Sequence, residues 1–200
     1  MDVAHSYFLD TIIVREGDTV IDVGANHGDI FRYFLDQGVS PNYVAIEPGP
    51  EEVKSLALNC EGARIIQAAA SNYSGSSEFF YAPKRGDSSL EEPQDGYTHK
   101  ITVETTTLAD VISSLESGNV KLLKVEAEGS EPEVLEGIGP WLKGVEFIAV
   151  DGGPERGVRA ESTLEYCTNF LVSRSFEVVS FGYQRGNGRA LFKNASLTER

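Results

Sequence analysis

Apolar residues recur along this 200-residue chain with two different periods, and the switches between them predict its elements. Positions 19–23 (TVIDV) are a β-branched run behind the turn signal Glu16-Gly17-Asp18, which predicts a first strand. Gly24-Ala-Asn-His-Gly28 follows, and then Ile30, Phe31, Phe34 and Leu35 fall at helical spacing, with Gly38 as the stop. An apolar run over 43–46 predicts a second strand. Pro50 suits the first turn of the next helix, Glu51 and Glu52 favour its dipole, and Val53, Leu56 and Ala57 offer a buried face. Positions 64–67 read as a third strand. This alternation predicts an α/β, doubly wound, mostly parallel sheet with helices on both faces.

The alternation breaks over 71–105, a polar, turn-rich stretch with strand-like runs at 77–81 and 100–105. It reads as two strands flanking a loop of about 18 residues, and loops of that length tend to be functional. Regular patterning then resumes. Thr107 suits a helix N-cap ahead of Val111, Ile112 and Leu115, and 120–125 reads as a buried strand. Ser130-Glu-Pro-Glu133 has the form of a capping box with Pro in the first turn, opening a helix to about Gly137. A strand over 144–150, an amphipathic helix over 162–173 and a terminal antiparallel hairpin (176–181 and 189–192) complete the pattern. No linker interrupts it, so 1–200 reads as one domain with an insertion at about 71–105.

Composition narrows the function. Acidic residues number 31 and basic ones 17, a net charge of −14, and that field repels phosphate backbones and anionic headgroups. Neither a nucleic-acid nor a membrane partner is expected. Cys60 and Cys167 form no metal or disulfide spacing and suit a core. The N-terminus lacks the basic and apolar regions of a signal peptide, and no apolar run is long enough to span a bilayer. A cytoplasmic location is the expectation.

The candidate chemistry begins at Asp22-Val-Gly24-Ala-Asn26-His-Gly28, which leaves a strand and enters a helix. Glycines there let backbone N–H groups approach a ligand. The spacing is G-x-x-x-G, not the G-x-G-x-x-G of dinucleotide sites. Glu47 ends the second strand 25 residues after Asp22, where an acid accepts hydrogen bonds from both ribose hydroxyls of an adenosine cofactor. Without a ligand, the same residues would simply make a tight turn and a solvated strand end.

With these residues in place, the chain resembles the FkbM-type family of S-adenosylmethionine-dependent methyltransferases. VIDVGANHGDI (20–30) is similar to that family's first motif and AIEPGP (45–50) to its second. AAASNYSGSSEFF (68–80), DSSL (87–90), VETTTLADVI (103–112) and KLLKVEAEGSEPEVLEGI (121–138) follow in the family's order. The resemblance covers roughly 18–150. The chain departs from the pattern at Glu126, where Asp is usual, and at Ala127, where Val is common. It implies a Rossmann-like class I methyltransferase fold, with a seven-stranded sheet whose last strand is antiparallel. It also implies S-adenosyl-L-methionine as cofactor, with Asp22, Gly24, Asn26 and Gly28 along its methionine and ribose, Glu47 on the ribose diol and Ser71 beside the adenine. The expected reaction is O-methylation of a sugar, polyketide or similar hydroxyl. A nicotinamide-dependent oxidoreductase, or a non-catalytic relative acting through its insertion, are the alternatives.

An alcohol nucleophile has to lose a proton, usually to a His or a carboxylate. Glu126 and Glu128 end the fourth parallel strand and Asp151 the fifth, at the edge where open sheets place their crevice. These three are the candidate catalytic residues, and together they could take Mg²⁺ through oxygen ligands. Glu131 and Glu133 suit a helix N-terminus instead. His27 and His99 have the right titration range, although a lone His is more often a loop residue. Arg85, Arg156 and Arg159 are candidates for an anionic acceptor or simply solvated. Trp141 and Phe79-Phe80-Tyr81 suit packing.

Overall fold

The computed structural model describes residues 3–83, 88–184 and 186–197. Its centre is a parallel sheet built from β1 (Thr19–Val23), β2 (Asn42–Ile46) and β3 (Arg64–Ile66) on one side. A small side sheet comes next in the chain: β4 (Ala69–Ser71), β5 (Gly75–Tyr81) and β6 (His99–Thr107), in the order β4-β6-β5. The chain then returns to the main sheet with β7 (Val120–Val125) and β8 (Val145–Asp151). A two-stranded flap, β9 (Pro154–Arg156) with β10 (Glu161–Ser162), precedes the final hairpin of β11 (Phe176–Gln184) and β12 (Asn187–Asn194). The seven main strands lie in the order β11-β12-β8-β7-β1-β2-β3, and β12 alone runs against its neighbours. This is the sheet that the resemblance implies.

Strand alternation sorts the core into two layers. Ile21, Val23, Val44, Ile46, Leu123, Val125, Ile148 and Val150 face α4 (Leu108–Ser113), α5 (Glu131–Glu136) and α6 (Leu164–Val172). Val20, Tyr43, Ala45, Leu122 and Ala149 face α2 (Asp29–Asp36) and α3 (Pro50–Asn59), along with Tyr7 and Leu9 from the N-terminal segment. Cys60 and Cys167 are both buried in these layers. Each strand buried on both faces reads as a continuous apolar run, which is why the sequence exposes it so plainly. Thr107 caps α4 as expected, accepting from the Asp110 N–H at 3.0 Å.

Three features differ from the sequence pattern. The capping box does not form: Ser130 makes no side-chain cap, and Glu133 instead holds Arg156 through two hydrogen bonds of 2.7 and 2.8 Å. A cation brought in by β9 from 23 residues away outcompetes the local helix end. β4 was not expected, because its partner β6 lies more than 30 residues on. The short α1 (Val3–Ser6) and the β9–β10 flap likewise carry too little periodicity to read. Among the described residues no helix is long and apolar enough to cross a membrane.

Candidate functional site

The C-terminal ends of β1, β2 and β7 open onto a cleft of about 720 Å³, part of it open to solvent. Its walls come from the loop after β1 (Gly24, Asn26), the end of β2 (Glu47, Pro48) and the turn after β7 (Glu126–Glu128). The side sheet and insertion add an apolar flank of Ala68–Ala70, Phe79 and Leu90. The insertion is pinned there: Ser89 bridges Phe80 through two backbone hydrogen bonds, and its hydroxyl donates to the Glu128 carbonyl at 2.7 Å.

Glycine in the first loop serves close packing of protein on protein. Gly24 has φ of 69°, and a Cβ on it would collide with the Glu126 carbonyl oxygen. Gly28 has φ of 90°, and a Cβ there would collide with the Cys60 sulfur. The first contact sets the loop against β7 and the second sets the start of α2 on the end of α3. Asn26, at φ 48°, completes the left-handed path that only Gly and Asn adopt readily. That path aims the Asn26 N–H at Glu47 Oε2 (3.0 Å), while the Gly49 N–H donates to Oε1 (2.8 Å). Glu47 is buried, and burial pushes its pKa up to about 7, against the pull of these two N–H donors. Glu52 stands beside it in the wall and accepts from the Tyr81 hydroxyl at 3.0 Å.

Beneath the cleft lies a buried charge network. Asp22 on β1 and Lys124 on β7 are register partners, with Lys124 Nζ 3.1 Å from Asp22 and 2.8 Å from Glu126. The same ammonium donates to the Val23 and Gly24 carbonyls at 3.0 and 2.7 Å. Burial opposes the charge on Lys124, but Asp22 and Glu126 more than offset it and its pKa is raised. Burial also works against Glu126, yet Lys124, with Tyr7 and Arg189, holds its carboxyl below the usual range. Asp22 goes the other way: burial raises it despite Lys124 and a short hydrogen bond from Tyr43. Arg189 on β12 donates to Asp151 at 2.6 Å, bonds Ser6, and lies 4.4 Å from the Tyr7 ring centre. Asp151 is fully buried, and burial with Glu126 nearby raises its pKa.

Of the residues singled out in the sequence, Gly24, Asn26, Glu47, Glu126 and Glu128 meet around the cleft. Asp22 lies below it, and Gly28 sits at a helix junction. Ser71 ends β4 buried, its carbonyl pressed on Gly137, while Ala68–Ala70 flank the cleft in its stead. Asp151 pairs with Arg189 behind the wall. The Mg²⁺ expectation finds no support. No group of three or more His, Cys, Asp or Glu able to hold a metal occurs among the described residues, because Glu126 and Asp151 turn to cations. His27 and His99 are exposed, Arg159 is exposed near Glu161, and Trp141 packs on Gly118. Arg85 lies outside the described residues.

Glu131 is more than a dipole partner. It is wholly buried and accepts from the Ala127 and Gly129 N–H groups (2.8 and 3.1 Å) and from the Thr163 hydroxyl, bracing the turn that carries Glu126–Glu128. That turn is itself left-handed at Glu128 (φ 47°) and Gly129 (φ 95°). Sequence reasoning missed Lys124, although a lysine inside the apolar run VKLLKV signals a buried charge that needs a partner. Tyr7, Arg189 and Glu155 gave no comparable signal.

The methyltransferase FkbM domain matches residues 22–168. The chain belongs to the FkbM methyltransferase family. Among relatives of this FkbM chain is the 2-O-methyltransferase NoeI of Sinorhizobium fredii, 23% identical over 94% of this chain and 84% of that protein. The hexuronic acid methyltransferase AglP of Haloferax volcanii is 27% identical over 68% of this chain and 56% of its own length. Solved structures of the same fold include Sp1610 of Streptococcus pneumoniae in complex with S-adenosyl-L-methionine (TM-score 0.57, 12% identity, 98% of this chain and 75% of that one). TrmK of M. capricolum with S-adenosyl-homocysteine is another (TM-score 0.53, 11% identity, 97% and 70%).

Proposed function

We propose that this FkbM-family chain transfers a methyl group from S-adenosyl-L-methionine to a hydroxyl of a sugar or similar small acceptor. Glu47 carries the reading. It is a buried carboxylate at a strand end, held by two loop N–H groups and flanked by apolar side chains, which fits a ribose diol lying beside an adenine. The wall suits the rest of that ligand too. Four carboxylates (Glu47, Glu52, Glu126, Glu128) and no Lys or Arg line the cleft among the described residues, an environment for a sulfonium and not for a diphosphate. When bound, the cofactor supplies an electrophilic methyl group on positive sulfur. Gly24 and Asn26 would border its ribose and methionine, and Ala68–Ala70, Phe79 and Leu90 its adenine. Asp22 acts as a positioning residue through Lys124, which ties the end of β1 to that of β7.

Carbohydrate oxygen as the acceptor rests on the names of the two curated relatives, both distant. The acidity of the chain speaks against a nucleic-acid acceptor. Calorimetry with S-adenosylmethionine, S-adenosylhomocysteine and NAD tests the cofactor, followed by methyl transfer to a panel of methyl hexopyranosides. Binding of the first two ligands and not of NAD, with turnover on a sugar, is the expected result. NAD binding alone would return the oxidoreductase. Tight cofactor binding with no turnover on any acceptor would make the chain a non-catalytic relative.

A further inference from the structure

Glu52, in the first turn of α3, is placed as no helix end requires. Its neighbour Glu51 is exposed and pairs with Lys54 at 2.7 Å, an ordinary surface pair at a helix start. Glu52 instead turns into the cleft wall, only 9% exposed, and makes no ion pair among the described residues. The Tyr81 hydroxyl reaches over from β5 to donate to its Oε2, while Oε1 takes no hydrogen bond among the described residues. Burying a carboxylate without a cation is costly, and a helix dipole repays only a small part of that cost. Buried polar groups otherwise find partners, so the missing donor falls to a ligand.

Gly49 measures how near Glu52 comes to Glu47. The place that a Cβ on Gly49 would take lies 2.1 Å from Glu52 Oε2 and 3.0 Å from Glu47 Oε1, so these two oxygens are no more than about 5.1 Å apart. Each Glu47 oxygen already takes one loop N–H, Oε2 from Asn26 and Oε1 from Gly49, and Oε1 is the one turned toward Glu52. An O–H···O bond spans about 2.7–2.8 Å, so a hydroxyl arriving on that side is within reach of both carboxylates. Tyr81 belongs to the apolar cluster of Ala69, Phe79 and Leu90 that flanks the cleft, which sets Glu52 between the ribose holder and that flank. Resting on the methyl-transfer reading above, we infer that Glu52 is a second ribose-binding residue. Of the cofactor's two diol hydroxyls, the one on the Oε1 side of Glu47 donates to Glu52 and the other to Glu47. Tyr81 holds the Glu52 carboxylate in place and so ties the side sheet to the recognition of ribose.

Calorimetry at pH 8, where Glu47 is mostly ionised, tests this with S-adenosylhomocysteine and its 2′-deoxy and 3′-deoxy analogues. Glu52→Ala should weaken S-adenosylhomocysteine binding by about 10–100-fold, the loss of one hydrogen bond to a charged group. Against one of the two deoxy analogues its effect should shrink to less than about threefold, because the hydroxyl that Glu52 accepts is already gone. Glu52→Gln keeps an acceptor for Tyr81 and the shape of the wall. It should show the same pattern across the three ligands with a smaller loss, which reads the charge without disturbing the fold. An unchanged S-adenosylhomocysteine affinity, or penalties equal for all three ligands, overturns the assignment and leaves methyl transfer standing. A wild-type protein that binds no S-adenosylhomocysteine overturns both.

Discussion

Glu47 and Glu126 hold equivalent places on either side of β1. Val23 pairs with Ile46 on one flank and with Val125 on the other, so each glutamate is the first residue beyond its strand, level with Gly24. Their surroundings differ in direct cation contacts: Glu126 has Lys124 at 2.8 Å and Arg189 at 3.8 Å. Lys124 above all holds that carboxyl low, whereas Glu47 meets two backbone N–H groups and burial lifts it to about 7. An ammonium fixes a carboxylate permanently, and neutral N–H donors leave lone pairs for a visitor. On the function proposed above, one rim of the loop is a strut and the other a socket.

Removing the cation breaks the strut. Lys124→Met would leave Asp22 without its cation, Glu126 with only the more distant Arg189 at 3.8 Å, and two strand-end carbonyls without their donor. Loss of one partner from a buried ion pair costs about 3–5 kcal/mol, the largest effect expected here, and denaturant unfolding would measure it. A loss below about 1 kcal/mol would mean that water already screens the network. Glu47→Ala tests the socket. It should weaken S-adenosylmethionine binding by about 1.5–3 kcal/mol in calorimetry without lowering the melting temperature at pH 8. An unchanged dissociation constant would remove Glu47 from the site.

The strut and the socket were not equally readable. The place of Glu47 in the cleft wall was readable because a strand end at a fixed distance from a glycine loop is a local chain position. The strands, α2, α3 and the α4 cap were legible for the same reason, since local period and cap chemistry decide them. The strut depends on long-range partners: Arg189 reaches Asp151 across 38 residues and Ser6 across 183. No local pattern encodes such pairs. The Ser130–Glu133 box shows the reverse error, a good local signal overruled by Arg156 from β9. Ser71 reads as a cleft residue from its motif, yet β4 pairing with β6 turns it inward.

A smaller effect follows from the proton on Glu47, and its two consequences have opposite signs. Unfolded, the group titrates as an ordinary carboxylate near 4.5; folded, at about 7. Between these values the native chain keeps a proton that the unfolded chain has lost. Its contribution to stability is therefore full below about pH 4.5 and is lost as pH rises through 7. Glu155 adds the same sign up to about 8. Ligand affinity runs the other way, because diol hydroxyls donate to the ionised form. S-adenosylhomocysteine affinity should rise about tenfold from pH 6 to 8, the change in ionised fraction for a group titrating at 7. Glu52 and Lys124 both act on Glu47, so Glu47→Gln is the needed control, and its affinity should be flat over that range. A slope that persists in Glu47→Gln would assign the proton to another group.

The smallest effect separates backbone from side chain within the socket. Asn26 reaches Glu47 through its main-chain N–H, and its side chain is exposed. What Asn contributes is tolerance of φ near 48°, a conformation glycine adopts at no steric cost. Asn26→Gly should therefore shift S-adenosylhomocysteine affinity by less than about threefold and stability by no more than about 1 kcal/mol, the entropic cost of glycine. Asn26→Val asks a β-branched residue to enter the left-handed region, at a cost of about 1–3 kcal/mol. The donor then either strains or turns from Glu47, and the pH dependence of binding should weaken with it. If Gly and Val behaved alike, the loop would not owe its shape to position 26, and Glu47 would be held from the Gly49 side alone.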